Sequence, residues 1–103
     1  MARVDAAALG YNDTVFAHVT LSKHSRAGIT AFEKTMLARP DVLAVYSMTG
    51  DADYLIQVIA RSTREYERFL NEAVFSNAAV QQIKSNFALR EIKSTVAIPV
   101  DGD

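Results

Sequence analysis

The side chains best suited to chemistry in this chain lie in one short polar stretch between two apolar segments, residues 49–54. The stretch contains one glycine, Gly50, and two carboxylates, Asp51 and Asp53. Glycine lets the backbone approach a ligand closely and present its N–H groups, and a carboxylate can hold an ammonium group. Two interpretations follow. The stretch is a plain hairpin turn, or it is a turn that also binds a small zwitterion, with backbone N–H groups on its carboxylate and Asp51 or Asp53 on its ammonium.

The other reactive side chains do not form a catalytic or metal-binding set. His18 and His24 have no further histidine or cysteine near them in the sequence, so their spacing is not that of metal ligands. The chain contains no Cys, which excludes disulfides, thiolate metal sites and cysteine nucleophiles. We therefore predict a protein that is not an enzyme and that needs no metal or cofactor.

The composition is that of one globular domain without an unusual charge. Of the 103 residues, 50% are hydrophobic and 22% are charged, and the net charge is −1. The isoelectric point near 6.1 argues against direct binding to nucleic acid, which usually needs a basic face. No apolar run approaches the length of a membrane span, and no signal peptide is visible. We expect a cytoplasmic protein that does not contact membranes.

Four strands are predicted from alternating apolar and polar residues and from β-forming side chains, and two of them hold the polar turn. In the last strand, Ile83, Phe87 and Leu89 share the side that we expect to be buried, whereas Lys84 belongs to the solvated side. The predicted strands span residues 14–21, 42–49, 54–60 and 80–93.

Two helices are predicted between these strands. The first begins after Ser25, a suitable N-cap, and ends at Pro40. The second begins with a capping box, in which Ser62 is the N-cap and Glu65 follows at the third helical position. Both helices have apolar residues at helical spacing. These are Ile29, Phe32, Met36 and Leu37 in the first helix, and Tyr66, Phe69, Leu70, Ala73 and Val74 in the second.

The order strand, helix, strand, strand, helix, strand predicts an α+β, ferredoxin-like βαββαβ fold. It has a four-stranded antiparallel sheet with both helices on one face. The other face would present Phe16, His18 and Thr20, with Tyr46 or Met48 beside them. A sheet does not leave aromatic side chains in water without reason, so we predict that this face pairs with a second copy of the chain.

We expect the domain to span residues 14–100. An arm or linker remnant over residues 1–13 would precede it, and a tail over residues 101–103 would follow it. Within the domain, residues 96–100 are expected to form a last short extended piece, in which Pro99 suits only a sheet edge.

The turn and its flanks resemble the effector domain of the leucine-responsive/asparagine regulator (Lrp/AsnC) family, also called the RAM domain. The likeness lies in Arg39-Pro40-Asp41-Val42-Leu43-Ala44-Val45-Tyr46-Ser47-Met48-Thr49-Gly50-Asp51-Ala52-Asp53-Tyr54-Leu55-Ile56-Gln57-Val58. Residues 66–70, 85–93 and 98–100 resemble the family's second helix and last strands, and Leu9-Gly10-Tyr11 resembles its interdomain link. Together these segments cover nearly the whole chain.

The resemblance implies sheet-face dimers that assemble further, to tetramers or octamers, and a small amino acid bound between subunits near the turn. It implies a sensing and oligomerisation module of transcription regulation. The ligand-binding candidates that it indicates are Thr49, Gly50, Asp51, Ala52, Asp53 and Tyr54 from one subunit, with Ser85 and Asn86 from a neighbour.

The resemblance also implies a helix-turn-helix, for which the residues before Leu9 leave no room. The chain is therefore expected to be either a stand-alone effector domain or an excised one, which does not bind DNA directly. The expected partners are further copies of itself, a small amino acid and a full-length DNA-binding homologue.

Two alternatives stay open on the sequence. An enzyme of the dimeric α/β-barrel type shares this strand order, and in it His18, Tyr46 and Asp53 would act on a small aromatic or haem substrate. That enzyme needs a sizeable enclosed cavity between the sheets, whereas a sensor needs small pockets at subunit edges. A pure assembly domain with an empty pocket would have the same turn residues as a sensor.

Overall fold

A computed structural model describes residues 10–22 and 26–94 of the protein. The predicted last piece at 96–100, the tail, most of the N-terminal arm, Ser25 as an N-cap and His24 lie outside these residues. The elements are β1 (Asp13–Leu21), α1 (Arg26–Ala38), β2 (Val42–Ser47), β3 (Tyr54–Ala60), α2 (Thr63–Phe69), a π-helical turn that continues α2 (Leu70–Val74), and β4 (Val80–Phe87).

The strands form one antiparallel sheet in the order β2-β3-β1-β4. Buried residues alternate with more exposed ones from Val15 onward in β1 and throughout β3, because one face of each strand meets the helices and the other does not. Val15 lies opposite Val58 on β3 and Phe87 on β4, which puts these three side chains on the helix side. The predicted ferredoxin-like arrangement is confirmed.

The core lies between the sheet and the helices. Val15, Ala17 and Val19 of β1 are fully buried there, together with Phe32 of α1. Burying side chains of this kind contributes about 1.5–3 kcal/mol each relative to exposure, which makes this layer the main source of stability. The buried residues are Val15, Ala17, Val19, Leu21, Phe32, Met36, Tyr54, Ile56, Val58, Ala60, Tyr66, Phe69, Ala73 and Val74.

The predicted capping box at the start of α2 is present in a modified form. Ser62 has extended backbone angles, and its hydroxyl oxygen accepts a hydrogen bond from the Glu65 N–H at 3.1 Å. The Glu65 carboxylate reaches back one residue further than a standard box and accepts from the Arg61 N–H at 3.0 Å. The first bond satisfies an N–H group that the helix start would otherwise leave unpaired, and the second pairs the N–H of the residue before the N-cap.

Several sequence-based expectations were wrong. Leu37 is 83% exposed, because one residue turns the helix by about 100° and carries Leu37 away from the Met36 side. β4 ends at Phe87 rather than residue 93, because its backbone hydrogen bonds to β1 stop with the Ala88 N–H, which donates to the Thr14 carbonyl at 2.8 Å. On the side of this strand that was expected to be buried, Leu89 is 99% exposed and Phe87 is 41% exposed. β2 ends at Ser47 rather than residue 49, because the chain bends into the turn there.

Candidate functional site

The turn between β2 and β3, residues 48–53, depends on one left-handed residue. Gly50 has φ +103°, a conformation that L side chains rarely adopt. A Cβ at this position would meet nothing within 4 Å, so the glycine is needed for its backbone angle and not for space. The Met48 N–H donates to the Asp53 carbonyl at 2.9 Å and closes the turn.

Asp53 ties this turn to the end of β1. The Leu21 N–H donates to Asp53 Oδ2 at 2.7 Å, and the Asp53 N–H donates to the Val19 carbonyl at 2.9 Å. The carboxylate of Asp53 thus already satisfies a partly buried backbone donor. It holds the turn in place against the sheet, which is a structural task.

Asp51 differs from Asp53 in that its carboxylate accepts no hydrogen bond from the described residues. Only its backbone carbonyl is used, as a 3.4 Å acceptor for the Thr20 hydroxyl. The backbone N–H groups of residues 49–52 also donate to no acceptor in the described part of the chain. The turn therefore offers one carboxylate and several consecutive N–H donors to a ligand.

These groups border a cavity of about 460 Å³ on the sheet face that the helices leave uncovered, which we call the open face. The volume falls within the roughly 300–1,000 Å³ of typical small-molecule sites. We call this space the turn cavity. It is lined by His18, Thr20, Met48, Thr49, Asp51, Ala52, Gln82 and Lys84.

Charges of both signs line the turn cavity without pairing. Asp51 and Lys84 form no salt bridge with each other or with any other described residue. The salt bridges in the described part of the chain join Arg39 to Asp41, Arg39 to Glu72 and Arg61 to Glu65, all outside this cavity. Two unpaired side chains of opposite charge suit a ligand that carries both a positive and a negative group.

The structure brings together some of the eight predicted ligand-binding residues and separates others. Tyr54 packs on the helix side of the sheet, and the Ser85 hydroxyl forms a hydrogen bond with the Tyr66 hydroxyl on that same side. Asn86 lies opposite Phe16 on the open face and does not line the cavity. The predicted residues that line the turn cavity are Thr49, Asp51 and Ala52, with Gly50 shaping the turn beside them.

Sequence reasoning missed Thr20, Gln82 and Lys84 as parts of this site. The sequence pattern places Lys84 on the solvated side of the last strand. The signal that finds them is the strand register, in which His18 lies opposite Lys84 and Thr20 lies opposite Gln82 on the open face. Register across β1 and β4 joins residues that are far apart in the chain, so local patterns do not reveal it.

Tyr54 links the far side of the turn to α1. Its ring packs against Phe32 with centroids 4.9 Å apart, and its hydroxyl donates to Glu33 Oε2 at 2.5 Å. Burial, the hydrogen bond to Glu33, and the negative charges of Glu33 and Asp53 together raise the pKa of Tyr54 from 10.0 to about 12.

We expect the free energy of unfolding to fall as the pH rises from about 10 to about 12. The raised pKa means that the folded state holds the Tyr54 proton where the unfolded chain has already lost it, so this contribution is complete below pH 10 and disappears through pH 12. Urea unfolding from pH 8 to 12 measures the fall. Over this pH range, the free energy of unfolding of the Tyr54→Phe variant should fall less than that of the wild type. Equal falls would contradict the assignment of this effect to the raised pKa of Tyr54.

A second cleft, of about 370 Å³, lies at the opposite end of the β2–β3 hairpin. Arg39 is held there by Asp41 through two hydrogen bonds of 3.0 and 2.9 Å and by Glu72 at 3.1 Å, and it lies over the Phe69 ring. Arg61 lies over the Tyr11 ring at 4.4 Å. The carboxylates that line this cleft are thus largely paired within the domain. We therefore assign the cleft a structural role, which is to fix the α1–β2 connection to α2.

Within residues 10–22 and 26–94, no three His, Cys, Asp or Glu side chains lie together in a way that would bind a metal ion. In the same residues, none of the helices combines the length and the apolar character that crossing a membrane requires.

Comparisons with known proteins agree with the fold. The Lrp/AsnC ligand binding domain model matches residues 14–98. The Bkd operon transcriptional regulator of Pseudomonas aeruginosa is 33% identical over 99 residues, which are 96% of this chain and 65% of that protein.

Two solved structures superpose closely. A transcriptional regulator of Neisseria meningitidis, in complex with L-methionine, has a TM-score of 0.91 at 25% identity, and an AsnC family transcriptional regulator from Agrobacterium tumefaciens has 0.88 at 28%. Each match covers 98% of this chain and 65% of the other chain. The chain thus spans a little under two thirds of the length of these proteins.

Proposed function

This chain belongs to the Lrp/AsnC ligand-binding domain family, and from that premise we propose that it is the amino-acid-sensing and oligomerisation module of a transcription regulator. The relatives named above are transcriptional regulators, and one of the superposed structures contains L-methionine. The observation that carries the proposal is the turn cavity, which is lined by Asp51 and by its turn neighbours Thr49 and Ala52. Among the described residues, nothing pairs with the Asp51 carboxylate or with the backbone N–H groups of this turn.

The ligand is a small amino acid held by its two backbone charges. Asp51 accepts hydrogen bonds from the α-ammonium, and the N–H groups around Gly50 donate to the α-carboxylate. Thr49 and Ala52 border the ligand from the turn itself. Tyr54, Asp53 and Ser85 support the site by holding the turn and the sheet, since their side chains are engaged within the domain. Asn86 is at the same face and is available to a neighbouring subunit.

The module assembles through the open face. Phe16 is 37% exposed and Tyr46 is 56% exposed on this face, with Met48 nearby, although aromatic side chains of this size normally find a partner. A second copy covers them in a sheet-face dimer, and dimers assemble into tetramers or octamers. The turn cavity then lies beside the interface, so ligand binding and assembly are coupled wherever the ligand binds one assembly better than another.

The enzyme alternative receives no support from the geometry of its three residues. Asp53 is occupied by the Leu21 N–H, while His18 lines the turn cavity and Tyr46 is exposed on the open face. A general base must reach the reacting group together with its partners, and these side chains do not form such a set. We propose that the module is non-catalytic, as its relatives are transcriptional regulators, and that it is cytoplasmic. It does not bind nucleic acid itself, and its further partner is a full-length DNA-binding homologue.

We expect Asp51→Ala to lower the affinity for the amino acid roughly 10- to 100-fold, the loss expected from a hydrogen bond to a charged group worth about 1.5–3 kcal/mol. The unliganded protein should keep its melting temperature, because the Asp51 carboxylate bonds to no described residue. Calorimetric titration with a panel of the twenty amino acids, followed by titration of the variant with the best ligand, measures the change.

Asp53→Ala is the matched control, since it also removes a turn carboxylate. It leaves the Leu21 N–H without its acceptor and should lower the free energy of unfolding by about 1–3 kcal/mol even without ligand. A wild type that binds none of the twenty amino acids would contradict the sensing function. Equal effects of the two substitutions on unliganded stability would contradict the division of roles.

A further inference from the structure

Lys84 is a cationic side chain at the turn cavity. It lies on β4 directly opposite His18 of β1, it lines the turn cavity, and it forms no salt bridge with any described residue. Strand residues directly opposite each other project from the same face of a sheet. The ammonium group therefore belongs to the open face, beside the turn.

The described strands contribute no carboxylate to the open face that could neutralise Lys84. The polar residues on β1 and β4 of this face are neutral apart from Lys84 itself and the titratable His18. Asp51, in the turn, is the acidic residue that lines the same cavity. The strand residues of the open face are Thr14, Phe16, His18, Thr20, Ala44, Tyr46, Leu55, Gln57, Ile59, Gln82, Lys84 and Asn86.

A ligand held at the turn by its backbone charges would use Asp51 and leave Lys84 without a counter-charge. Partial removal of an ammonium group from water is costly unless an anion accompanies it, and dimerisation over the open face removes water from this region. The cavity wall near Lys84 is also polar, with Thr20, Gln82 and His18. An apolar ligand side chain would leave the Gln82 amide and the His18 ring without a hydrogen-bond partner.

We propose that the turn cavity selects an amino acid with an acidic side chain, and that Lys84 is the specificity-determining residue that binds the side-chain carboxylate. This inference rests on the proposed amino-acid-sensing function. The α-ammonium lies on Asp51, the α-carboxylate lies on the N–H groups near Gly50, and the second carboxylate extends along the open face to Lys84. The Gln82 side-chain amide donates an additional hydrogen bond to that carboxylate.

The test is calorimetric titration of the assembled protein with L-glutamate, L-glutamine, L-methionine and L-leucine. Glutamate and glutamine have nearly the same shape and differ in side-chain charge. The ratio of their dissociation constants therefore isolates the contribution of the charge contact. The wild type should prefer glutamate at least about tenfold. Lys84→Met should reduce that preference to about one while glutamine still binds, and Lys84→Arg should retain it.

Lys34→Met is the matched control, because Lys34 is an exposed lysine of α1, away from the open face. It should bind all four amino acids as the wild type does. Light scattering of each variant reports the mass of the assembly, which should not change with Lys84→Met.

Four results would overturn the proposal. If the wild type prefers glutamine, methionine or leucine, the acidic selectivity is wrong while amino-acid sensing stands. If Lys84→Met binds no amino acid but remains assembled, Lys84 holds the α-carboxylate instead. If Lys84→Met dissociates, Lys84 pairs with Asp51 of a second copy. If the wild type binds none of the twenty amino acids, the proposed function itself fails, and the inference with it.

Discussion

We expect the replacement of Phe16 by glutamate to convert the proposed open-face dimer into monomers. Phe16 stands in the middle of the open face, between Gln57 on β3 and Asn86 on β4. Central aromatic residues of an interface contribute about 2–4 kcal/mol when truncated, which corresponds to roughly 30- to 1,000-fold in the dissociation constant. A carboxylate costs more than truncation, because a symmetric sheet-face dimer buries the charge of both copies without a partner.

The measurement is light scattering or sedimentation of the Phe16→Glu variant over a range of concentrations. Phe75→Glu is the matched control, since Phe75 is 58% exposed but follows the π-helical turn, away from the open face. The control should keep the mass of the wild type, and both variants should keep the wild-type circular dichroism spectrum. A Phe16→Glu variant that remains assembled would rule out the open face as the interface.

Phe32→Ala is expected to produce the largest loss of stability, about 3–5 kcal/mol. Phe32 is fully buried in α1 and is one of the largest side chains of the core, so its removal leaves a cavity between helix and sheet. A domain of this size has a total stability of about 5–15 kcal/mol, so much of it would be lost. The Tyr54 ring, which packs on Phe32, would lose its support, and with it the hydrogen bond from Tyr54 to Glu33.

Urea unfolding at one fixed protein concentration measures this loss, because assembly makes the stability of an oligomer depend on concentration. Leu37→Ala in the same helix is the control. Leu37 is almost fully exposed, so its replacement should change the free energy of unfolding by no more than about 0.5 kcal/mol. A loss below about 1 kcal/mol for Phe32→Ala would contradict the packing of α1 on the sheet.

Local patterns were sufficient for the architecture, because each element of this fold meets solvent on one side only. The alternation of apolar and polar residues along β1 indicates one buried face, and the helical spacing of Phe32 and Met36 indicates the buried side of α1. The apolar pattern of α1 predicted the side of Leu37 wrongly, because Leu37 lies one residue beyond the buried side of the helix and does not reach the core. The predicted end of β4 was also wrong, since the length of a strand depends on how far it pairs with its neighbour as well as on its own residues.

For the candidate site, the chain by itself determined the turn. Gly50 and Asp51 are neighbours in the sequence, and a glycine followed by a carboxylate predicts both the left-handed angle and a carboxylate available at the turn. Only the tertiary structure decided which carboxylate remains available, because the acceptor role of Asp53 depends on a backbone N–H, that of Leu21, which lies 32 positions away in the chain.

The tertiary structure also decided that Lys84 and His18 border the same cavity as Asp51. Their proximity depends on the register of three strands, and register is a property of pairing between distant segments rather than of any one of them. The sequence determined which residues have suitable chemistry at the turn. The pairing of the strands determined which charges lie across from them, and hence which ligand the proposed site selects.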